Sequence, residues 1–278
     1  PGSRRRGAAI DGLMANLAAA VLGLWVASEP PPSVASDAPD RTNGPFTVAP
    51  GAWQLELGVD ASFSGRAVPD GAVPLRVPTT LRVGLSPRVE LRAFDGERLL
   101  HHDISRGVGG ETSFGFKIRF NDPAPDAPRR PQFGVQPYFA FPLYGLRRHP
   151  DAIASGAALL WTQPVTRSLG VDINAGLELA FERGAAPLTG FVSASAQASI
   201  RERWLPYLEL FHDIRGRGRA ALELGADAGF VVVAHRRLAF NLAGRATFLA
   251  AVRSYGALAG VAFLLADGTR WRRPPSPR

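Results

Sequence analysis

The sequence predicts an all-β protein, a transmembrane antiparallel β-barrel of about twelve strands that follows a cleavable signal peptide. Three observations carry this prediction. Beyond residue 40 apolar and polar residues alternate with period two, and helical periodicity is almost absent. Several of these runs are 12–14 residues long, and aromatic residues bracket many of them near both ends. The chain has 278 residues and is 46% apolar, an ordinary share that supports a folded protein over a disordered one.

The leader comes first. Arg4, Arg5 and Arg6 precede an apolar run over 13–27, followed by Ser28, Pro30, Pro31, Pro32 and further small residues. A positive start, a short apolar stretch and a small-residue exit describe a secretory signal. The run is shorter than the roughly 20 residues of a spanning helix. Cleavage after Ser28, Ala35 or Ser36 would each leave small residues at the exit. The chain therefore divides into 1–36 as signal peptide and exit, 37–51 as an N-terminal periplasmic segment, 52–265 as the barrel and 266–278 as a basic tail.

The first strand, 52–64, sets Trp53, Leu55, Leu57, Val59, Ala61 and Phe63 against Gln54, Glu56, Gly58, Asp60, Ser62 and Ser64. Strands 79–86 and 88–94 meet at Ser86-Pro87-Arg88. Over 113–120, Phe114, Phe116, Ile118 and Phe120 alternate with Ser113, Gly115, Lys117 and Arg119, and a Pro-rich link 121–131 follows. Runs 132–141 and 153–162 end at Gln163-Pro164. The clearest run is 168–181, where Leu169, Val171, Ile173, Ala175, Leu177, Leu179 and Phe181 hold every odd position. Seven of seven at this composition has a chance of about 0.4%, so the period is a signal. Strands 188–200, 204–211, 222–232, 238–249 and 254–265 complete the twelve, with breakers at Arg201-Glu202-Arg203 and His235-Arg236-Arg237.

Alternation fits two architectures. A soluble periplasmic β-sandwich or lipocalin-like barrel buries the apolar set, whereas a membrane barrel turns it to lipid and lines the lumen with the polar set. Strand length favours the membrane barrel, since a tilted membrane strand needs about 9–11 residues and soluble strands average about 5–6. The polar positions are also small: Gly58, Ser62, Gly84, Ser113, Gly115, Gly170, Asn174, Gly176, Gly225 and Gly229 suit a concave wall. Aromatic pairs at strand ends (Trp53 and Phe63, Phe114 and Phe120, Phe133 and Phe141, Phe240 and Phe248) suit interfacial girdles. With the first strand rising from the periplasm, the links 65–78, 95–110 and 142–152 become outer loops.

The register then assigns a set of lumen-lining candidates: Glu56, Asp60, Arg82, Glu90, Arg92, Lys117, Arg119, Asp172, Glu178, Glu209, Glu223, Asp227 and Arg245. In one reading opposite charges pair across neighbouring strands and brace the wall. In the other, unpaired members create a field that selects solutes. Their mixed signs oppose strong anion or cation selectivity.

Other chemistry is mostly excluded. The absence of cysteine removes disulfides, thiolate zinc, iron–sulfur ligation and a Cys nucleophile. The formal net charge of +8 owes much to the two ends, at Arg4, Arg5, Arg6, Arg270, Arg272, Arg273 and Arg278. No basic stripe marks a nucleic-acid face. The sequence has no Gly-x-Ser-x-Gly elbow, no His-Glu-x-x-His and no phosphate-cradling Gly loop with Lys. His101-His102-Asp103 falls in a loop and reads as solvated, with His149, His212 and His235 also in links. No catalytic residue, metal site or cofactor is expected.

Two segments resemble a known family. Pro45-Phe46-Thr47-Val48-Ala49-Pro50-Gly51, running into a strand with Glu56, is similar to the opening of the outer-membrane transporter-like proteins associated with meta-pathway phenol degradation. The hairpin Leu81-Arg82-Val83-Gly84-Leu85-Ser86-Pro87-Arg88-Val89-Glu90-Leu91-Arg92 is the second similarity. The resemblance implies a barrel and a solute channel, with phenolics as a family-level association.

The expected function is passive transport of a small, hydrophobic or aromatic solute across the outer membrane. Outer-membrane lipid, the solute and the barrel assembly machinery are the expected partners, and nucleic acid is not. Loops 65–78 and 95–110 are the expected gates. The alternatives are a structural or adhesive barrel with a closed lumen, a barrel-rim hydrolase and a soluble periplasmic binding sandwich. The assigned faces also predict that Arg at Leu177 is costly and that Arg at Asn174 is milder.

Overall fold

The computed structural model describes residues 34, 36–37, 42–64, 74–100, 112–122, 129–141, 153–181, 188–201, 203–216, 221–249 and 252–268. Twelve strands form: β1 (Ala52–Ser64), β2 (Pro74–Ser86), β3 (Val89–Leu100), β4 (Thr112–Arg119), β5 (Gln132–Phe141) and β6 (Ile153–Pro164). They continue with β7 (Leu169–Phe181), β8 (Leu188–Ala198), β9 (Trp204–Gly216), β10 (Ala221–His235), β11 (Leu238–Leu249) and β12 (Val252–Asp267). Each strand pairs antiparallel with its sequence neighbours, and β1 pairs with β12 to close the barrel. Closure satisfies every edge, which is what allows a sheet to stand in hydrocarbon.

Several boundaries differ from the sequence reading. Strand β2 starts at Pro74 and β3 runs to Leu100, so 74–78 and 95–100 are paired strand and the expected loops 65–78 and 95–110 are shorter. Strand β9 continues to Gly216, which puts His212 on a strand instead of a link, and His235 closes β10. Pro78, the last residue of the expected link 65–78, lies inside β2, and its missing N–H costs only local bonds. The β1–β2 register passes from Leu57↔Thr79 to Asp60↔Arg76, with no pair at Pro78. Pro137 acts likewise between β4 and β5, where pairing passes from Gly115↔Tyr138 to Ile118↔Val135.

The outer face is apolar. Leu159, Leu177, Leu208, Leu210 and Leu224 are all more than half exposed. Trp53, Phe120, Phe133, Trp204 and Phe240 ring the end that carries the N-terminal segment, while Phe114, Phe139, Phe181, Phe248 and Tyr255 ring the other. Two aromatic belts around an aliphatic band fit a bilayer. The side chain of Phe63 lies outside the described ones. Inside, Arg82, Glu90, Lys117, Glu209 and Asp227 are at most 1% exposed. Charges buried and leucines exposed exclude the soluble sandwich, whose core would hold the leucines.

The interior is partly filled by the chain's own beginning. Val34 donates its N–H to Arg236 O at 2.7 Å and packs with Val48, Ala52, Val231, Ala239, Ala262 and Leu264 in an apolar cluster. Across the wall the N-terminal segment lies flat on β2: a Cβ at Gly84 would collide with the carbonyl oxygens of Val48 and Ala49. A glycine there is what lets the two backbones touch.

Candidate functional site: the charged lumen

The β2–β3 hairpin brings Arg82 and Arg92 directly opposite each other on the lumen side. Like charges in that position destabilise a sheet unless something intervenes. Two wall carboxylates help. Arg82 donates through Nε and Nη2 to Glu90, at 2.8 and 2.9 Å, and through Nη1 to Glu56 at 2.9 Å. Gln54 Nε2 adds a bond to Glu56 at 2.8 Å. Lys117 stands opposite Glu90 on β4.

The remaining neutralisation comes from Asp37. Its carboxylate lies 3.3 Å from Arg82 Nη1, 2.7 Å from Arg92 Nη1 and 2.6 Å from Lys117 Nζ. Burial works to raise its pKa, but Arg82, Lys117 and Arg92 outweigh burial and hold the carboxyl well below the usual carboxylate range. The backbone of the same segment is held as well. Lys117 Nζ donates to Gly44 O at 3.0 Å, and Val48 N donates to Glu90 Oε2 at 2.7 Å. Thr47 Oγ1 donates to Pro87 O at 2.9 Å, and Thr42 Oγ1 donates to Glu209 Oε1 at 2.6 Å. The Asn174 carboxamide, oriented to suit its neighbours, donates to Asn43 O at 2.9 Å and accepts from Asn43 N at 2.7 Å.

A second ion group lies between β10, β11 and β1. Arg245 holds Asp227 through Nε at 2.9 Å and Nη2 at 2.7 Å, and reaches Asp60 with Nη1 at 3.1 Å. Its guanidinium stands 5.7 Å from the centroid of the Phe211 ring. Asp227 and Glu209 oppose each other on β10 and β9, so Arg245 and the Thr42 hydroxyl separate two acids that would otherwise repel.

Of the other lumen candidates, Asp172, Glu178 and Arg119 take individual partners. Asp172 receives the Thr162 hydroxyl, and Glu178 receives Tyr138 Oη at 2.7 Å. Arg119 turns to the end of the barrel, donating to Pro87 O at 2.7 Å and pairing with Asp122 at 3.0 Å. Glu223 stands opposite Asp213 on β9. Arg82, Glu56, Glu90, Arg92 and Lys117 therefore gather on one wall, and Asp60, Asp227, Arg245 and Glu209 on another.

Several contributors were not among the sequence candidates. Asp37 and Thr42 fall in the segment read as periplasmic, and Asp213 is a further buried acid. Part of a signal for Asp37 existed: Arg82 and Arg92 share inward parity, and the bulge between Gly84 and Ser86 sets them opposite each other, a pair that calls for an anion. The aromatic side of the lumen was also missed. Tyr138, Phe191, Tyr207 and Phe211 share parity with inward polar residues on β5, β8 and β9, and the Phe191 and Phe211 rings lie against Gly176 and Gly225. His101, His102 and His149 lie outside the described residues. Among the described residues no group of three or more His, Asp or Glu could hold a metal ion.

No protein-family model and no curated protein matches the chain. Solved structures do. The chain is similar to the COG4313 outer membrane channel from Pseudomonas putida F1, at 11% identity and a TM-score of 0.58, covering 82% of this chain and 100% of that one. It is also similar to the NanC porin, at 9% identity and a TM-score of 0.51, covering 75% of this chain and 100% of the other. At such identities the likeness is one of fold. That likeness and the lipid-facing belts together identify an outer-membrane β-barrel of the porin and channel architecture.

Proposed function

We propose that the barrel passes a small solute with an apolar or aromatic body across the outer membrane by passive diffusion. The observation that carries this is the mixed lining of the lumen. Fixed charges on β1–β4 and on β9–β11 are interspersed with inward aromatic side chains, Tyr138 on β5, Phe191 on β8, and Tyr207 and Phe211 on β9. A solute with a flat apolar body and a polar handle meets both kinds of surface. Diffusion of this sort needs positioned side chains and no cofactor.

A second reading, a barrel with a closed lumen, is favoured by one observation: the N-terminal segment packs against the interior at one end. Liposome swelling separates the two. Channel function predicts protein-dependent entry of small aromatic solutes, faster than entry of sugars of similar mass. Liposomes that stay impermeable to every solute, both with the native protein and with a variant whose segment is displaced, would leave only the closed barrel.

A further inference from the structure

We propose that Arg82, Arg92 and Lys117 form a carboxylate-binding site in the lumen, which Asp37 occupies as a resident ligand and which the carboxylate of a solute can take over. The site itself stands on the geometry below; only the identification of its natural ligand with the transported solute rests on the channel reading.

Among the described residues the wall by itself is short of one anion. Three cations from adjacent strands converge on a single point, and the described wall carboxylates bonded to them are two, Glu56 and Glu90. Glu90 is committed twice over, to Arg82 and to the Val48 amide. Asp172, the next acid on the wall, is held by the Thr162 hydroxyl. The uncovered charge is met by Asp37, which bridges the opposed arginines with both oxygens, Oδ1 towards Arg82 and Oδ2 towards Arg92 and Lys117. Two guanidinium groups and an ammonium around one planar carboxylate is a recognition geometry for that group.

The donor of that carboxylate is not part of the wall. Strand residues 82 and 92 are fixed by ladder pairing on both sides and 117 by pairing to β3, whereas Asp37 enters from a segment that precedes β1. Its own amide makes only a long bond, 3.4 Å, to Glu56 Oε1. A carboxylate delivered from elsewhere therefore meets a preformed cation set, and the segment's hold on the lumen weakens as Asp37 is displaced. Ligand entry and clearing of the lumen become one event.

The test is chemical rescue in the full chain. Asp37→Ala vacates the carboxylate position and leaves the strands unaltered. The purified barrel is titrated by calorimetry with acetate, benzoate and benzamide, and its heat-modifiable gel shift confirms folding. Millimolar binding of acetate and benzoate to Asp37→Ala, at least tenfold weaker in the native protein and lost in Asp37→Ala/Lys117→Met, is the expected result. Equal binding of benzamide and benzoate, or no carboxylate binding by the folded Asp37→Ala barrel, overturns the site. Planar-bilayer conductance of the same variants keeps the two readings apart. Carboxylate binding without any conductance retains the site and removes the channel; conductance without carboxylate binding does the reverse.

Discussion

Leu177 offers a direct test of which way the wall faces. It is 59% exposed on β7, flanked across the ladders by Ala157 and Gly190. Neither neighbour can shield a charge. The aromatic belt at Phe181 is four residues further along the strand, about 10 Å higher for a strand rising about 3.3 Å per residue at a tilt of about 40°. An Arg stem of about 7 Å cannot carry its guanidinium that far, so Leu177→Arg puts a charge into the upper half of the apolar band. The cost is about 2–3 kcal/mol, within the range measured for Arg on lipid faces. In an equilibrium constant this is roughly 30- to 150-fold. The control is Thr189→Arg, which points into the lumen at nearly the same height, opposite Glu178 on β7 and Arg215 on β9. It should stay within about 0.5 kcal/mol of the native protein, because attraction to Glu178 offsets repulsion from Arg215 in a polar interior. The assay is urea-dependent refolding into lipid vesicles, read by heat-modifiable mobility. Equal penalties at the two sites would refute the assigned faces. Asn174, mild by the alternation pattern, is no longer a suitable control. It is buried against Asn43, so an Arg there displaces the N-terminal segment.

Other outcomes follow from the same geometry. Arg82→Met leaves Glu56, Glu90 and Asp37 without their shared guanidinium and should cost about 3–5 kcal/mol in the same refolding assay, as breaking a buried ion cluster does. Gly84→Val drives a side chain into the backbone of Val48 and Ala49, so bilayer conductance should rise while the barrel stays heat-modifiable; unchanged conductance would mean that the segment does not limit flow. The mature chain should retain Val34 and Asp37, which fits processing after Ser28 and not after Ala35 or Ser36; N-terminal sequencing of protein from outer membranes checks this. Finally, the depressed pKa of Asp37 sets a pH dependence. Its stabilising contribution is complete above the unfolded carboxylate value of about 3.9 and is lost as pH falls towards the lower folded value. The melting difference between native protein and Asp37→Asn should therefore persist down to pH 5 and shrink only in stronger acid. A difference that already shrinks between pH 7 and 6 would contradict the ion cluster.

Local pattern determined the strand count and the alternation of faces for most residues, because side-chain parity in a strand is a property of the backbone alone, whereas closure rests on the long-range pairing of β1 with β12. Trp53 through Asp60 and Leu169 through Phe181 could be assigned from alternation without any knowledge of their neighbours. Strand ends were less legible. Pro78 reads as a stop in one dimension, yet a sheet already paired on its other side carries the strand past it to Pro74. The site was half visible: Glu56, Arg82, Glu90, Arg92 and Lys117 could be placed inside, but their shared partner could not. Asp37 lies in a stretch without periodicity, and nothing local separates a segment in the periplasm from one folded back into a lumen. Only the closed barrel decides that, since it brings three cations from separate strands to one point where burial makes an unmatched charge costly.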